Sequence, residues 1–125
     1  MILGLGTDIV EVARIQAAFE KSGVRFLQRI LLPDERAYCL AYKTPAPHLA
    51  VRFAAKEAVS KAFGTGIGGK ISWLDIEVCR KPGGEPFVAL HGKGKKLFEE
   101  RGAKNLVISL SHTENYATAV AILET

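Results

Sequence analysis

The spacing of apolar residues along the chain predicts four helices and five strands. Apolar residues recur three to four positions apart, as on one face of a helix, in residues 11–30, 33–42, 48–63 and 93–101. Shorter apolar or alternating segments, which favour strands, are residues 2–10, 71–79, 87–90, 105–111 and 116–124. Runs of helices with runs of strands are typical of an α+β fold. We therefore expect one domain over residues 1–125, with helices packed on an antiparallel sheet.

Small residues line one side of the helix expected over residues 48–63. This side carries Val51, Ala55, Ala58 and Ala62, so a neighbouring element can approach the helix closely. The opposite side carries charged and polar residues, namely Arg52, Lys56, Glu57, Ser60 and Lys61. Glu57 and Lys61 have the i, i+4 spacing of a surface ion pair. Three cations around one carboxylate also indicate an anionic ligand.

Composition narrows the class of protein. The 125 residues are 48% hydrophobic and 24% charged, which fits one globular core. No apolar run reaches the roughly 18–20 residues that span a bilayer, so we expect no membrane-spanning segment. Residues 1–8 lack the basic and apolar regions of a signal peptide, which predicts a cytoplasmic protein. Cys39 and Cys79 lie far apart and are expected to be free thiols.

Positive charge is concentrated in the N-terminal part of the chain. Residues 1–70 hold ten Lys and Arg against six Asp and Glu, whereas residues 71–125 hold seven of each. A local positive field attracts phosphates or an acidic protein. Aromatic residues are not interleaved with the basic ones, so a nucleic-acid interface has little support. Four cations, Arg14, Lys21, Arg25 and Arg29, share one helix face if the helix is continuous, although Ser22-Gly23 is expected to break it. They form either a solvated face or a docking surface for an acidic partner.

The segment Gly64-Thr-Gly-Ile-Gly-Gly-Lys70 matches the glycine patterns of nucleotide-binding loops. Those loops need a strand before the glycines and a helix after them, whereas the expected order here is helix, glycines, strand. We therefore interpret the segment as a connection that can still line a ligand.

A second candidate, Ser111 with His112, fails as a catalytic dyad because neighbouring strand residues point to opposite faces. No histidine has the spacing of a zinc site.

Asp8 indicates more specific chemistry. It follows Gly4 and Gly6, which allow another backbone to approach closely, in a strand otherwise rich in Ile, Leu and Val. A carboxylate in such a strand is costly unless it is paired or binds a metal ion. If Asp8 and Glu57 converge, they offer the hard oxygen ligands that Mg²⁺ prefers together with waters and substrate phosphates.

Four segments together resemble the holo-acyl-carrier-protein synthase family, the small bacterial 4′-phosphopantetheinyl transferases. They are Gly6-Thr-Asp-Ile-Val-Glu-Val-Ala-Arg-Ile15, Phe53-Ala-Ala-Lys-Glu-Ala-Val-Ser-Lys-Ala-Phe-Gly64, Gly84-Glu-Pro-Phe-Val-Ala-Leu-His-Gly92 and Ser109-Leu-Ser-His-Thr-Glu-Asn-Tyr-Ala-Thr-Ala119. The resemblance covers the whole chain in order. It implies the fold of that family and transfer of phosphopantetheine from coenzyme A to a serine of apo-acyl carrier protein in fatty acid biosynthesis.

The resemblance also implies roles for individual residues. Asp8 and Glu57 would hold Mg²⁺ on the diphosphate of coenzyme A, and Lys61 would stabilise charge in the transition state. The serine proton would pass to a magnesium-bound water or to Glu57, of which we favour the water. The remaining residues implied to contact coenzyme A are Ser60, Gly64, His112 and Thr113.

Partners follow from the same resemblance. Acyl carrier proteins are acidic, so Arg14, Lys21 and Arg25 are implied to dock them. The family forms homotrimers, with Asp8 and Glu57 of one subunit beside His112 of the next. The competing hypothesis is a non-catalytic module that binds nucleotide or RNA through the basic half and the glycine segment.

Overall fold

The computed structural model describes residues 1–125. Its five helices are α1 (Val12–Ser22), α2 (Val24–Ile30), α3 (Pro33–Leu40), α4 (Ala46–Ala62) and α5 (Gly92–Glu100). Its five strands are β1 (Ile2–Glu11), β2 (Ile76–Arg80), β3 (Pro86–Leu90), β4 (Asn105–His112) and β5 (Tyr116–Glu124). The break predicted in the first helix separates α1 from α2 at Gly23, whose φ of 56° is unfavourable for other residues.

The strands form two antiparallel sheets. One has the order β1-β5-β4, and the other is the hairpin of β2 and β3. In the first sheet Asp8 lies opposite Ala119, and His112 lies opposite Ala117. The predicted α+β class is confirmed, with the strands divided between two sheets.

Helix α4 packs on the inner face of the larger sheet. Side chains of alternate β5 residues on this face are small and buried, as at Ala117, Ala119 and Ala121. On β1, a Cβ atom added to Gly6 would overlap the backbone carbonyl of Ala58, and one added to Gly4 would overlap that of Ala62. The predicted close approach is therefore made by α4, which brings its C-terminal half against β1.

The side of α4 opposite its small residues is largely buried, although it carries the predicted charged and polar residues. Arg52, Lys56 and Ser60 are buried, because α4 is covered by the sheet on one side and by neighbouring helices and β2 on others. Only Glu57 and Lys61 of that set reach the surface. A helix enclosed in this way buries polar side chains as well as apolar ones, and each of them needs a partner.

Two further boundaries differ from the prediction. Residues 71–79 do not form one strand, because Asp75 accepts hydrogen bonds from the Ser72 backbone N–H at 2.8 Å and hydroxyl at 2.9 Å, which turns the chain into a short 3₁₀ helix, Trp73–Asp75. Helix α4 begins at Ala46, two residues before the predicted start. Pro47 is tolerated there because the first turn of a helix needs no N–H donor.

The outer face of the larger sheet remains apolar. Leu5 and Ile9 of β1 are 64% and 68% exposed, and Val107 of β4 is 49% exposed. No helix of this chain covers them. Cys39 and Cys79 form no disulfide, as predicted. None of the helices is both long enough and apolar enough to cross a membrane.

Candidate active site

Asp8 lies at the junction of β1 and α4. Its backbone carbonyl accepts a hydrogen bond from the Thr118 hydroxyl at 3.0 Å, which reinforces the pairing of β1 with β5. Its side chain is on the inner face of the sheet with only 16% of its surface exposed. The glycines before it leave room for α4, so the carboxylate faces the last turns of that helix.

Lys61 connects α4 to this carboxylate. Its Nζ lies 3.1 Å from Asp8 Oδ1 and donates to the Thr7 backbone carbonyl at 3.0 Å. The ion pair predicted between Lys61 and Glu57 is wrong, since Lys61 pairs across to β1 instead. Almost half of the Lys61 side chain, 48%, is exposed, so the ammonium group can also meet a ligand from solvent.

Glu57 lies one turn before Lys61 on α4. Burial raises the pKa of its carboxyl, the nearby Asp8 carboxylate raises it further, and Lys61 lowers it. The carboxylate accepts no hydrogen bond from this chain. Asp8 and Glu57 influence each other electrostatically, and Lys61 pairs with only one of them, which leaves an excess of negative charge that favours a divalent cation.

The donor set fits Mg²⁺. The structure contains no group of three or more His, Cys, Asp or Glu side chains arranged as metal ligands. A closed structural site is therefore not formed. Two carboxylates with free oxygen lone pairs suit a hard cation that keeps several waters and takes further ligands from substrate phosphates.

Ser60 and Gly64 lie where α4 leads into the glycine segment. Ser60 is buried, and its hydroxyl donates to the Glu57 backbone carbonyl at 2.7 Å. The Ser60 carbonyl accepts from the N–H groups of Thr65 and Gly66 at 3.1 and 3.2 Å. Gly64 is exposed with a φ of 79°. The glycine segment leads to the 3₁₀ helix and β2, so it lacks the following helix that a dinucleotide-binding loop requires.

His112 and Thr113 lie elsewhere in the chain. His112 ends β4, and its ring contacts His48 in the first turns of α4, with ring centroids 5.6 Å apart. His48 precedes Glu57 by nine residues, which corresponds to about 14 Å along a helix axis. Thr113 shapes the turn to β5, where its hydroxyl accepts from the Tyr116 N–H at 3.1 Å. One chain therefore brings Asp8, Glu57 and Lys61 together but leaves His112 and Thr113 apart from them.

The three predicted docking residues are exposed on α1 and α2. The side chains of Arg14, Lys21 and Arg25 make no ion pair with the rest of the chain and no side-chain hydrogen bond. Gly23 interrupts the single helical face that the spacing suggested. Arg25 and Arg29 instead border a polar pocket of about 350 Å³ with Ser22 and Phe26. These cations are free to meet an acidic partner.

A cluster of cations and aromatic rings near His112 was not predicted. His48 stacks on Tyr42 with ring centroids 3.6 Å apart, and the Arg52 guanidinium lies 4.2 Å from the centre of the Tyr38 ring. The Nε of Arg52 is buried without a hydrogen-bond partner, beside a cleft of about 270 Å³. The spacing of Arg52 and His48, i and i−4, was the available signal in the sequence.

Comparisons with known proteins identify the family. A family model described as the 4′-phosphopantetheinyl transferase superfamily matches residues 4–121. The holo-acyl-carrier-protein synthase of Protochlamydia amoebophila is 50% identical over 122 residues, which are 98% of each chain. The chain belongs to the holo-acyl-carrier-protein synthase family of this superfamily.

Solved structures agree with this assignment. The crystal structure of holo-acyl-carrier-protein synthase from Neisseria meningitidis matches with a TM-score of 0.93 and 38% identity over 100% of both chains. The Helicobacter pylori enzyme, crystallised in complex with coenzyme A, matches with a TM-score of 0.86 and 34% identity over 96% of this chain and 99% of that one. The family and fold that the sequence motifs predicted are confirmed.

Proposed function

We propose that this chain transfers the 4′-phosphopantetheine group of coenzyme A to a serine of apo-acyl carrier protein. The serine oxygen attacks the phosphorus that carries the pantetheine arm, and the serine proton passes to a water molecule beside Asp8 and Glu57. The bond from that phosphorus to the bridging oxygen breaks, so adenosine 3′,5′-bisphosphate leaves and holo-acyl carrier protein is formed. The nucleophile belongs to the partner, which agrees with the lack of a serine–histidine dyad in the chain. The observation that carries this proposal is the convergence of Asp8, Glu57 and Lys61.

Asp8 and Glu57 would hold Mg²⁺ at this junction. When bound, the cation would neutralise and orient the diphosphate of coenzyme A for in-line displacement. The contribution of the chain is to keep the two carboxylates fixed. Asp8 is fixed by the pairing of β1 with β5 and Glu57 by the packing of α4 on the glycines of β1.

Lys61 would act on the same phosphates from the solvent side. Its ammonium group is anchored by Asp8 and the Thr7 carbonyl yet is half-exposed. A cation held in this way needs little rearrangement to stabilise the charge that develops on the transferred phosphoryl group. Ser60 and Gly64 would form the adjacent wall, with the buried Ser60 shaping the loop through its backbone carbonyl.

His112 and Thr113 would reach coenzyme A from a neighbouring subunit of a homotrimer. Within one chain they are separated from the carboxylates by much of the length of α4. The apolar outer face of the larger sheet, with Leu5, Ile9 and Val107 exposed, is a surface that subunit contact would bury. The stacked rings of His48 and Tyr42 beside His112 would then offer aromatic contacts to the adenosine end of coenzyme A.

Arg14, Lys21 and Arg25 would dock the acidic carrier protein. Their lack of partners within the chain leaves their charge available for steering the encounter.

We place the reaction in the cytoplasm and in fatty acid biosynthesis, with coenzyme A and acyl carrier protein as its two substrates. The two free thiols are compatible with a reducing compartment.

The test is a single incubation of the protein with coenzyme A, Mg²⁺ and an apo-acyl carrier protein, followed by mass spectrometry. We expect the carrier mass to rise by one phosphopantetheine, and the rise to disappear with a chelator or with a carrier whose acceptor serine is replaced by alanine. An unchanged carrier mass with intact coenzyme A would contradict the proposal and would return attention to a non-catalytic binding module.

A further inference from the structure

A buried ion pair lies on the side of α4 that faces away from Asp8. Lys56 and Glu35 of α3 have side chains that are 0% and 1% exposed, and Lys56 Nζ lies 2.8 Å from Glu35 Oε1. Lys56 also donates to the backbone carbonyls of Ile30 at 2.6 Å and Trp73 at 3.1 Å. The ammonium group therefore uses all three of its protons on fixed partners.

Glu35 is equally well satisfied. Its Oε1 also accepts from the Leu32 N–H at 2.8 Å, and its Oε2 accepts from the Val78 N–H at 2.9 Å. The two side chains together hold the end of α2, the start of α3, the 3₁₀ helix and β2 to one position on α4. Such an arrangement fixes orientation, because each hydrogen bond has a specific direction.

The segments joined in this way carry different parts of the proposed reaction. Ile30 is the last residue of α2, the helix that presents Arg25 to the carrier protein. Lys56 directly precedes Glu57, one of the two carboxylates at the phosphate site. The hydrogen bond from Lys56 to the Ile30 carbonyl is thus a direct connection between the docking helix and the catalytic helix.

We infer that Lys56, held by Glu35, is a positioning residue that keeps the carrier-docking helix α2 aligned with Glu57. This inference rests on the proposed function. Lys56 touches neither substrate; it sets where a carrier protein docked on α1 and α2 places its serine relative to the diphosphate. Misplacement by about 1 Å at a reacting centre is enough to cost about 10²-fold in rate.

A positioning role predicts that replacing Lys56 lowers kcat but leaves the affinities for both substrates unchanged. Arg14 and Arg25 are unchanged when Lys56 is replaced, so carrier affinity is retained. Coenzyme A meets Lys61 and the carboxylates on the other side of α4, so its binding is retained as well. The loss falls on kcat, because the docked serine is no longer aligned with the phosphorus.

The experiment compares Lys56→Met, Glu35→Gln and a control, Leu97→Ala, at a temperature where circular dichroism shows each to be folded. Leu97 is a buried residue of α5, a helix that carries none of the residues of the proposed site, and its truncation lowers stability by leaving a cavity. The measurements are kcat, the KM for coenzyme A, and the Kd for a carrier protein whose acceptor serine is replaced by alanine.

We expect Lys56→Met to lower kcat at least tenfold, with the KM for coenzyme A and the Kd for the carrier within about twofold of wild type. Glu35→Gln should show a smaller fall in kcat, because an amide there loses the hydrogen bond from Val78 while keeping the oxygen toward Lys56. It also keeps the inference testable if Lys56→Met does not fold. Leu97→Ala should keep the wild-type kcat.

A wild-type kcat in folded Lys56→Met, or in Glu35→Gln where Lys56→Met is unfolded, would overturn the inference. An equal fall in kcat for Leu97→Ala, or a rise in carrier Kd as large as the fall in kcat, would also overturn it. Failure of the proposed function looks different, because wild type itself would then not modify the carrier.

Discussion

Two lysines five residues apart on α4 each pair with a carboxylate of another element, and the two pairs differ in burial and in the number of hydrogen bonds they make. Lys56 and Glu35 are fully buried, and every proton of the ammonium group has a partner. Lys61 and Asp8 are held at a similar distance, yet Lys61 is 48% exposed. The buried pair has no capacity left for a ligand, whereas the exposed pair leaves both a half-free ammonium group and a carboxylate beside Glu57. Burial therefore divides one helix into a structural side and a reactive side.

The largest difference expected between the pairs is in stability. Removing the partner of a buried charge costs about 3–5 kcal/mol, so Lys56→Met should lower the free energy of unfolding by that amount. Lys61 is half-exposed, so solvent screens its pairing with Asp8, and Lys61→Ala should lower the free energy of unfolding by less than Lys56→Met does. Urea unfolding followed by circular dichroism measures both. Equal losses for the two variants would remove the distinction between the pairs.

Cations with no partner at all extend the comparison. Arg14 and Arg25 are exposed and unpaired, so their reversal should leave the fold intact and weaken attraction of the acidic carrier. We expect Arg14→Glu with Arg25→Glu to raise the KM for the carrier about tenfold or more, corresponding to about 1.4 kcal/mol or more, with little change in the KM for coenzyme A.

A matched control for this double variant is Lys95→Glu with Lys104→Glu, which makes the same change in net charge on exposed residues of the C-terminal part. Steering by the whole-molecule charge alone would raise the carrier KM equally in both double variants. That result would contradict a docking surface on α1 and α2.

The smallest expected effect concerns His48, at the far end of α4 from both pairs. Burial is the main cause that lowers the pKa of His48, and His112 lowers it further. Because the folded-state pKa lies below the ordinary value of about 6.5, the unfolded chain binds the proton more readily as the pH falls through that range. The contribution of neutral His48 to the free energy of unfolding is therefore present above pH about 6.5 and is lost as the pH falls below it.

Thermal unfolding of wild type and His48→Phe between pH about 7.5 and 5.5 measures this contribution. Between these two pH values the melting temperature of wild type should fall further than that of the variant, since phenylalanine can still stack on Tyr42 without titrating. Parallel melting curves at every pH would show that His48 does not contribute.

Much of the fold followed from local sequence patterns. The break at Gly23 and the close approach of another backbone to Gly6 were predicted, because turn residues and glycine positions act locally. The 3₁₀ helix was missed because the Ser72–Asp75 hydrogen bonds overrode the strand propensity of neighbouring apolar residues. The family followed from motif order over the whole chain.

The site was only partly predictable, because its side-chain pairings depend on tertiary packing and not on local sequence. Spacing on a helix can show that Glu57 and Lys61 are neighbours. Whether Lys61 pairs with Glu57 or with Asp8 depends on how β1 packs against α4. The burial of Lys56 depends on Glu35, a residue 21 positions away, in the same way. Pairings between distant segments are set by tertiary packing, and they decided which of the polar residues on α4 face solvent.

The central claim is that Asp8 and Glu57 act together on one site, and a double-mutant cycle tests it most directly. Asp8→Asn, Glu57→Gln and the double variant are compared with wild type in the Mg²⁺-dependent modification of apo-acyl carrier protein, with Glu11→Gln, an exposed acid on the same strand, as the control. We expect each single variant to lose about 10²–10³-fold or more in kcat, and the double variant to lose no more than the worse single one, because residues that act as a unit are not additive. Losses that multiply in the double variant, or activity undiminished in both single variants, would contradict a shared site.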